Sequence, residues 1–134
     1  MKMNWKKKRI VVADDDEDIL ASIKETLDNV YTVFTALDGR EAVEIVKKIK
    51  PDLVILDVLM PDMDGFEACR MIKKDKLLTH IPVIFLTAKN QVEDTERGFQ
   101  SGADSYMVKP FSPLKLLEKI GGMIDRAEMR EGLE

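Results

Sequence analysis

Two residue types that build many protein sites are almost missing. The 134-residue chain contains one cysteine, Cys69, and one histidine, His80. A single cysteine excludes an internal disulfide framework and a multi-cysteine zinc site, and it suits a reducing cytoplasm. A single histidine excludes any centre that needs two imidazoles. Glycine and proline number only 7 and 5, so collagen-like and low-complexity classes are out. Long apolar runs are absent too. The stretch after the basic start is only Ile10-Val11-Val12-Ala13, too short for the core of a signal peptide. Nothing approaches the ~20 apolar residues of a membrane-spanning helix, and the chain reads as cytoplasmic.

What is present is a chain with 45% hydrophobic and 34% charged residues. That balance belongs to a globular domain, and at ~150 residues per domain the length allows one. The net charge of −4 conceals an uneven layout. Residues 1–13 carry Lys2, Lys6, Lys7, Lys8 and Arg9 and no acid, which leaves −9 on the rest. Asp14, Asp15, Asp16, Glu17 and Asp18 stand consecutively, directly after an apolar run. An acidic body argues against nucleic acid as the main ligand.

Apolar runs and amphipathic stretches alternate along the chain. Ile10–Ala13 is β-branched and unalternating, as expected of a strand covered on both faces. Ile19, Leu20, Ile23 and Leu27 fall on one helical face over residues 17–28. Residues 31–35 read as a second strand. A helix from Asp38-Gly39 turns Ala42, Val43, Ile45, Val46 and Ile49 inward and ends before Pro51. Leu53–Leu56 is the most apolar strand and runs into Asp57. A loop with Pro61, Asp62, Asp64 and Gly65 leads to a helix carrying Phe66, Cys69, Met71 and Ile72. Residues 81–86 form a fourth strand closed by Thr87. Residues 91–100 form a short polar helix that stops at Gly102. A fifth strand, 105–108, ends at Lys109-Pro110, and a last helix covers 113–126. Five β-α units in alternation predict an α/β fold, a parallel sheet with helices on both faces.

Ligands of an open parallel sheet bind at the carboxyl ends of its strands. There the first strand presents Asp14 and Asp15, the third Asp57, the fourth Thr87 and the fifth Lys109. Three neighbouring carboxylates repel unless a counter-charge joins them. Magnesium takes oxygen ligands and commonly sits on one or two carboxylates plus phosphate oxygens. A lysine and a hydroxyl facing it suit the remaining oxygens of a phosphoryl group, and a carboxylate can serve as the nucleophile. The edge therefore suggests magnesium-dependent phosphorylation of an aspartate. Asp16, Glu17 and Asp18 read instead as a helix start, where acids favour the dipole.

With these residues in place, the sequence resembles the response regulator receiver domains of two-component signalling. The resemblance rests on Val-Val-Ala-Asp-Asp-Asp-Glu-Asp-Ile-Leu at 11–20, Pro-Asp-Leu-Val-Ile-Leu-Asp-Val-Leu-Met-Pro-Asp-Met-Asp-Gly at 51–65, Ile-Pro-Val-Ile-Phe-Leu-Thr-Ala at 81–88 and Gly-Ala-Asp-Ser-Tyr-Met-Val-Lys-Pro-Phe at 102–111. It implies a doubly wound, CheY-like sandwich with strand order 2-1-3-4-5 and five helices. It implies a receiver over 9–126, a basic extension over 1–8 and a tail or linker over 127–134. Asp57 would be the phosphoacceptor. Asp14 and Asp15 would hold Mg²⁺ (or Mn²⁺), Asp15 the more directly, together with Asp57 and the backbone carbonyl of Leu59. Lys109 would pair with the phosphoryl group, its bond to Pro110 being cis. Thr87 would hydrogen-bond a phosphoryl oxygen, and Tyr106 would turn inward as Thr87 moves. The implied partners are a sensor histidine kinase or phosphotransfer protein, and an output domain or target on the face built by the 91–100 helix, the fifth strand and the last helix. The protein would be a monomer or a phosphorylation-dependent homodimer, and no enzyme beyond its own phosphorylation and dephosphorylation.

Two other classes compete. One is a degenerate receiver, a phosphorylation-independent binding module, although such members usually lack a key residue and all five are here. The other is a haloacid-dehalogenase-like phosphatase using Asp14 and Asp16, but Asp18 stands where that pattern needs Thr or Val. His80 reads as a surface residue at the wrong end of the sheet, and Cys69 as packing. Gly121-Gly122 inside the last helix predicts either an early stop or a place where a partner helix approaches closely.

Overall fold

The computed structural model describes residues 7–88 and 100–132. In chain order its elements are β1 (Arg9–Ala13), α1 (Glu17–Leu27), β2 (Thr32–Ala36), α2 (Gly39–Ile49), β3 (Leu53–Asp57), α3 (Gly65–Lys74), β4 (Val83–Ala88), β5 (Ser105–Lys109) and α4 (Pro113–Gly132). The strands form one parallel sheet in the order β2-β1-β3-β4-β5. Five helices were expected and four are seen among the described residues. The one placed at 91–100 falls outside them apart from Gln100.

Alternation along the strands sorts the core into two layers. Val11, Val54, Leu56, Val83 and Phe85 point toward α2 and α3 and pack with Val43, Val46, Phe66, Cys69 and Ile72. Ile10, Val12, Ile55, Ile84 and Leu86 point toward α1 and α4 and pack with Leu20, Ile23, Leu116 and Ile120. All five residues of β3 are buried, because it is the middle strand. Truncating Leu56 or Ile55 to Ala would cost roughly 2–5 kcal/mol.

Helix starts follow the acids. Asp16, Asp38 and Asp64 each adopt an extended backbone and accept hydrogen bonds from N–H groups of the next turn, each cap being worth ~1 kcal/mol. The five-acid run is thereby divided: Asp16 caps α1, and Glu17 and Asp18 occupy its first turn. The fourth strand begins at Val83 rather than Ile81. Ile81 is spent in a turn, its N–H donating to the Leu78 carbonyl, and Pro82 has no N–H for a ladder.

The last helix is longer than the 113–126 expected from sequence. It passes through Gly121 and Gly122 without a break and runs to Gly132. Ile124, 6% exposed, anchors it in the core, and Lys8 pairs with Glu128 one turn later. These contacts outweigh the ~1 kcal/mol that each interior glycine costs relative to alanine. Among the described residues no helix is long and apolar enough to cross a membrane.

Candidate functional site

Three strand ends deliver the charged groups. Asp14 directly follows β1, and its N–H donates to the Ala36 carbonyl, which holds it between the ends of β1 and β2. It is fully buried. Its Oδ1 accepts the Asp16 N–H at 2.9 Å and its Oδ2 accepts Lys109 Nζ at 2.9 Å. Asp15, next in the chain, is exposed. Asp57 is the last residue of β3, only 8% exposed, and its Oδ2 accepts Lys109 Nζ at 3.3 Å. One carboxylate oxygen from each of Asp14, Asp15 and Asp57 lies within 4.8 Å of the others.

One lysine thus serves two buried carboxylates, and the balance is uneven. Burial pushes the Asp57 carboxyl up, and the Asp14 charge adds to it. Lys109 and the Leu59 N–H pull it down, but the net value is about 6. Burial works against the Lys109 ammonium, yet its hydrogen bond to Asp14 and the charges of Asp57 and Asp14 outweigh that and hold it above the ordinary lysine value. The cluster is short of positive charge. Oxygen donors at this spacing, with spare negative charge, fit a hard divalent cation.

Other residues singled out from sequence fall around this centre. Leu59 stands in the loop after β3, 57% exposed. Thr87 is buried in β4, one residue beyond Leu86, the register partner of Asp57. Its Oγ1 lies 3.4 Å from the Ala88 carbonyl, to which it donates. Tyr106 pairs in register with Phe85 and is half-buried against the α2–α3 core layer. It therefore stands back from the charged edge, nearer the middle of the sheet. The Lys109–Pro110 peptide bond is cis. His80 is exposed at the opposite end, and Cys69 is fully buried.

Gly65 was read only as part of a loop, yet it shapes the site. A Cβ on Gly65 would run into the Asp57 carbonyl oxygen. Without one, the start of α3 lies directly on the end of β3, and the Gly65 N–H donates to the Val58 carbonyl at 3.0 Å. The signal was in the sequence as a glycine directly after the capping Asp64. The close approach that demands it was not.

Comparison with known proteins agrees with this geometry. The family described as "Response regulator receiver domain" matches residues 10–121. The alkaline phosphatase synthesis transcriptional regulatory protein PhoP of Bacillus subtilis is 40% identical over 91% of this chain and 50% of its own length. Response regulator MprA of Mycolicibacterium vanbaalenii is 38% identical over 92% of this chain and 53% of its own. The chain spans about half the length of these curated relatives. Among solved structures, the chemotaxis protein CheY4 of Vibrio cholerae superposes with a TM-score of 0.82 at 34% identity, covering 87% of this chain and 98% of that one. A carboxyl-edge cluster of three aspartates and a lysine, on a 2-1-3-4-5 sheet that matches the family over most of its length, places this chain among the response regulator receiver domains of two-component systems.

Proposed function

We propose that the chain is a magnesium-dependent phosphorylation switch with Asp57 as its phosphoacceptor. The observation that carries this is the single ammonium of Lys109 shared between Asp14 and Asp57, with Asp15 within reach. At neutral pH a carboxyl with a pKa near 6 is mostly ionised and can act as a nucleophile. One Asp57 oxygen attacks the phosphorus of a kinase or phosphotransfer phosphohistidine. The P–N bond breaks, its electron pair stays on the imidazole nitrogen, and Asp57 becomes an acyl phosphate. Water attacking the same phosphorus later breaks the new P–O bond, returning the carboxylate and inorganic phosphate. The divalent cation, Mg²⁺ or Mn²⁺, when bound, supplies the charge that offsets the carboxylates and an incoming phosphoryl oxygen.

The residues divide the remaining work. Asp14 is held by the Asp16 N–H and Lys109, so it is a fixed member of the cation site. Exposed Asp15 is free to approach as a direct ligand, and the Leu59 carbonyl would complete the protein's set. Lys109 follows the phosphoryl oxygens, and Thr87 hydrogen-bonds one of them. Phosphorylation adds roughly two negative charges. Drawing Thr87 toward them opens space for Tyr106, which reshapes the face of β5 and its neighbouring helices. Through that face the domain signals to an output domain or target protein, as a cytoplasmic monomer or a phosphorylation-dependent homodimer. It turns over nothing but its own phosphoryl group.

Incubation with Mg²⁺ and acetyl phosphate tests this by intact mass. Wild type gains one phosphoryl group and Asp57→Asn gains none. No gain in wild type, or an equal gain in the variant, overturns the proposal.

A further inference from the structure

The β3–α3 loop, residues 58–64, begins directly after Asp57. The Leu59 N–H donates to the Asp57 carboxylate, so the loop's position bears on how that carboxylate is held. Three buried side chains, Val58, Met60 and Met63, tie the loop into the core layer under α2 and α3. Near its end the chain passes through Asp62 in a left-handed conformation, φ 68°. Gly65 then seats α3 on the Asp57 backbone. The remaining contact comes from α2.

Gly39, the first residue of α2, is buried. A Cβ there would run into the Met63 carbonyl oxygen and stand 3.1 Å from Met63 Cγ. The obstacle is backbone, so a side chain at 39 would have to displace the loop or the start of α2. The start of α2 is the firmer of the two. Asp38 Oδ1 accepts the Glu41 N–H at 2.8 Å, and Glu41 Oε2 accepts the Leu37 N–H at 3.2 Å, a reciprocal cap. Just before Leu37, the Ala36 carbonyl accepts the Asp14 N–H at 3.1 Å. The short stretch 36–39 thus touches both sides of the charged cluster: the Asp14 backbone through Ala36, and the loop that carries Leu59 through Gly39. Arg40 reaches the same loop, pairing with Asp62 at 3.5 Å, but both side chains are mostly exposed and such a pair holds little.

We infer that Gly39 is a positioning residue of the phosphorylation site: having no side chain, it lets α2 set the β3–α3 loop so that Leu59 stays on the Asp57 carboxylate and offers its carbonyl to the divalent cation. Gly39 itself touches neither the carboxylates nor the phosphoryl group. It acts through Met63 and the loop, as groups behind a metal's ligands orient them and tune affinity ten- to a hundredfold (order of magnitude, ~10–100). The part that concerns the cation rests on the phosphorylation reading. The part that concerns the Leu59 hydrogen bond does not.

Amide spectra of the isotope-labelled protein, taken without metal and across a Mg²⁺ titration, test it. In Gly39→Ala the metal-free Leu59 N–H resonance moves upfield as its hydrogen bond lengthens, and the Mg²⁺ dissociation constant rises about tenfold or more. Two controls keep the wild-type resonance and, within about twofold, the wild-type affinity. Lys73→Met breaks the pair with Asp104 at the amino end of the sheet, so it lowers stability without touching the loop. Arg40→Gln removes the exposed pair beside Gly39 and leaves the packing. Should Gly39→Ala unfold, Met63→Val, which alters the same contact from the loop side, must shift Leu59 and raise the dissociation constant several-fold. An unchanged Leu59 resonance or an unchanged affinity in the folded variant, or an equal loss of affinity in either control, overturns the inference. Acetyl phosphate labelling of wild type is read alongside. If wild type neither binds Mg²⁺ nor is labelled, the phosphorylation reading fails by itself, and the metal-free Leu59 resonance still decides what Gly39 positions.

Discussion

The two ends of the sheet are both rich in charge, and they handle it in opposite ways. At the amino end acids and bases are matched. The Arg9 N–H donates to Asp52 and its guanidinium to the Lys50 carbonyl, Lys8 meets Glu128, and Lys73 meets Asp104. Lys73 is the most complete case, since its ammonium spends three donors on the Thr79 carbonyl, the Ile81 carbonyl and Asp104. At the carboxyl end three carboxylates cluster, and Lys109 pairs with two of them. A matched end contributes to stability. An end left short of positive charge gives up stability, and on the proposed function it does so in exchange for affinity for a cation and a phosphoryl group.

The largest effect should come from unbalancing the matched end. Lys73→Met removes the ammonium from two carbonyls and from Asp104, which keeps only the Val83 N–H, and Lys73 is only 15% exposed. Breaking such a network costs about 3 kcal/mol. Thermal denaturation should show a drop of about 10 °C, and a drop of only a degree or two would mean that the end is not held by charge.

Balancing the deficient end should work in the other direction. At about a hundred times its dissociation constant, Mg²⁺ bound as proposed should stabilise the fold by about 2.7 kcal/mol. The rise in melting temperature should shrink in Asp15→Asn, which removes the exposed carboxylate. Equal rises in both proteins would place the cation elsewhere.

Removing one charge from the deficient end should stabilise the cation-free protein. The Asp57 carboxyl has a pKa of about 6 in the fold, against 3.8 ordinarily. Between those values the folded state binds more protons than the unfolded one, so stability falls as pH rises, and above 6 the loss is complete. Asp57→Asn lacks that loss. Its advantage should be small near pH 4 and reach a plateau on the order of 2 kcal/mol above pH 6, measured by urea denaturation in a chelator. An advantage that does not change with pH would sink this account.

The smallest effect belongs to the exposed link at the matched end. Glu128→Gln breaks the pair with Lys8, in which both side chains are partly solvated. Such pairs contribute about 1 kcal/mol or less. A larger loss would show that the pair, and not burial of Ile124, holds the extended end of α4 against the domain.

Much of this was legible in the chain itself. The strand cores needed only their β-branched runs, and the helix starts needed Asp16, Asp38 and Asp64. The acidic run was separable because the apolar run ends at Ala13 and helical spacing begins near Ile19, leaving Asp14 and Asp15 on the edge between. The end of α4 was misread for a local reason. Helix propensity counts against Gly121 and Gly122, while the contacts that carry the helix past them come from the sheet and from Lys8, more than a hundred residues before its partner Glu128. Gly65 was hidden by the same distance rule, since its need arises from the Asp57 backbone and not from its neighbours.

Sequence alone determined the α/β class, the alternation of elements and the residue types that meet at the carboxyl edge, because periodicity and strand-end position are local properties. Only the tertiary structure decided how charge is shared. Asp14 and Lys109 lie 95 residues apart, and nothing local to either says that one ammonium must serve two buried carboxylates. Charge balance depends on distances and burial, and those exist only once the chain has folded.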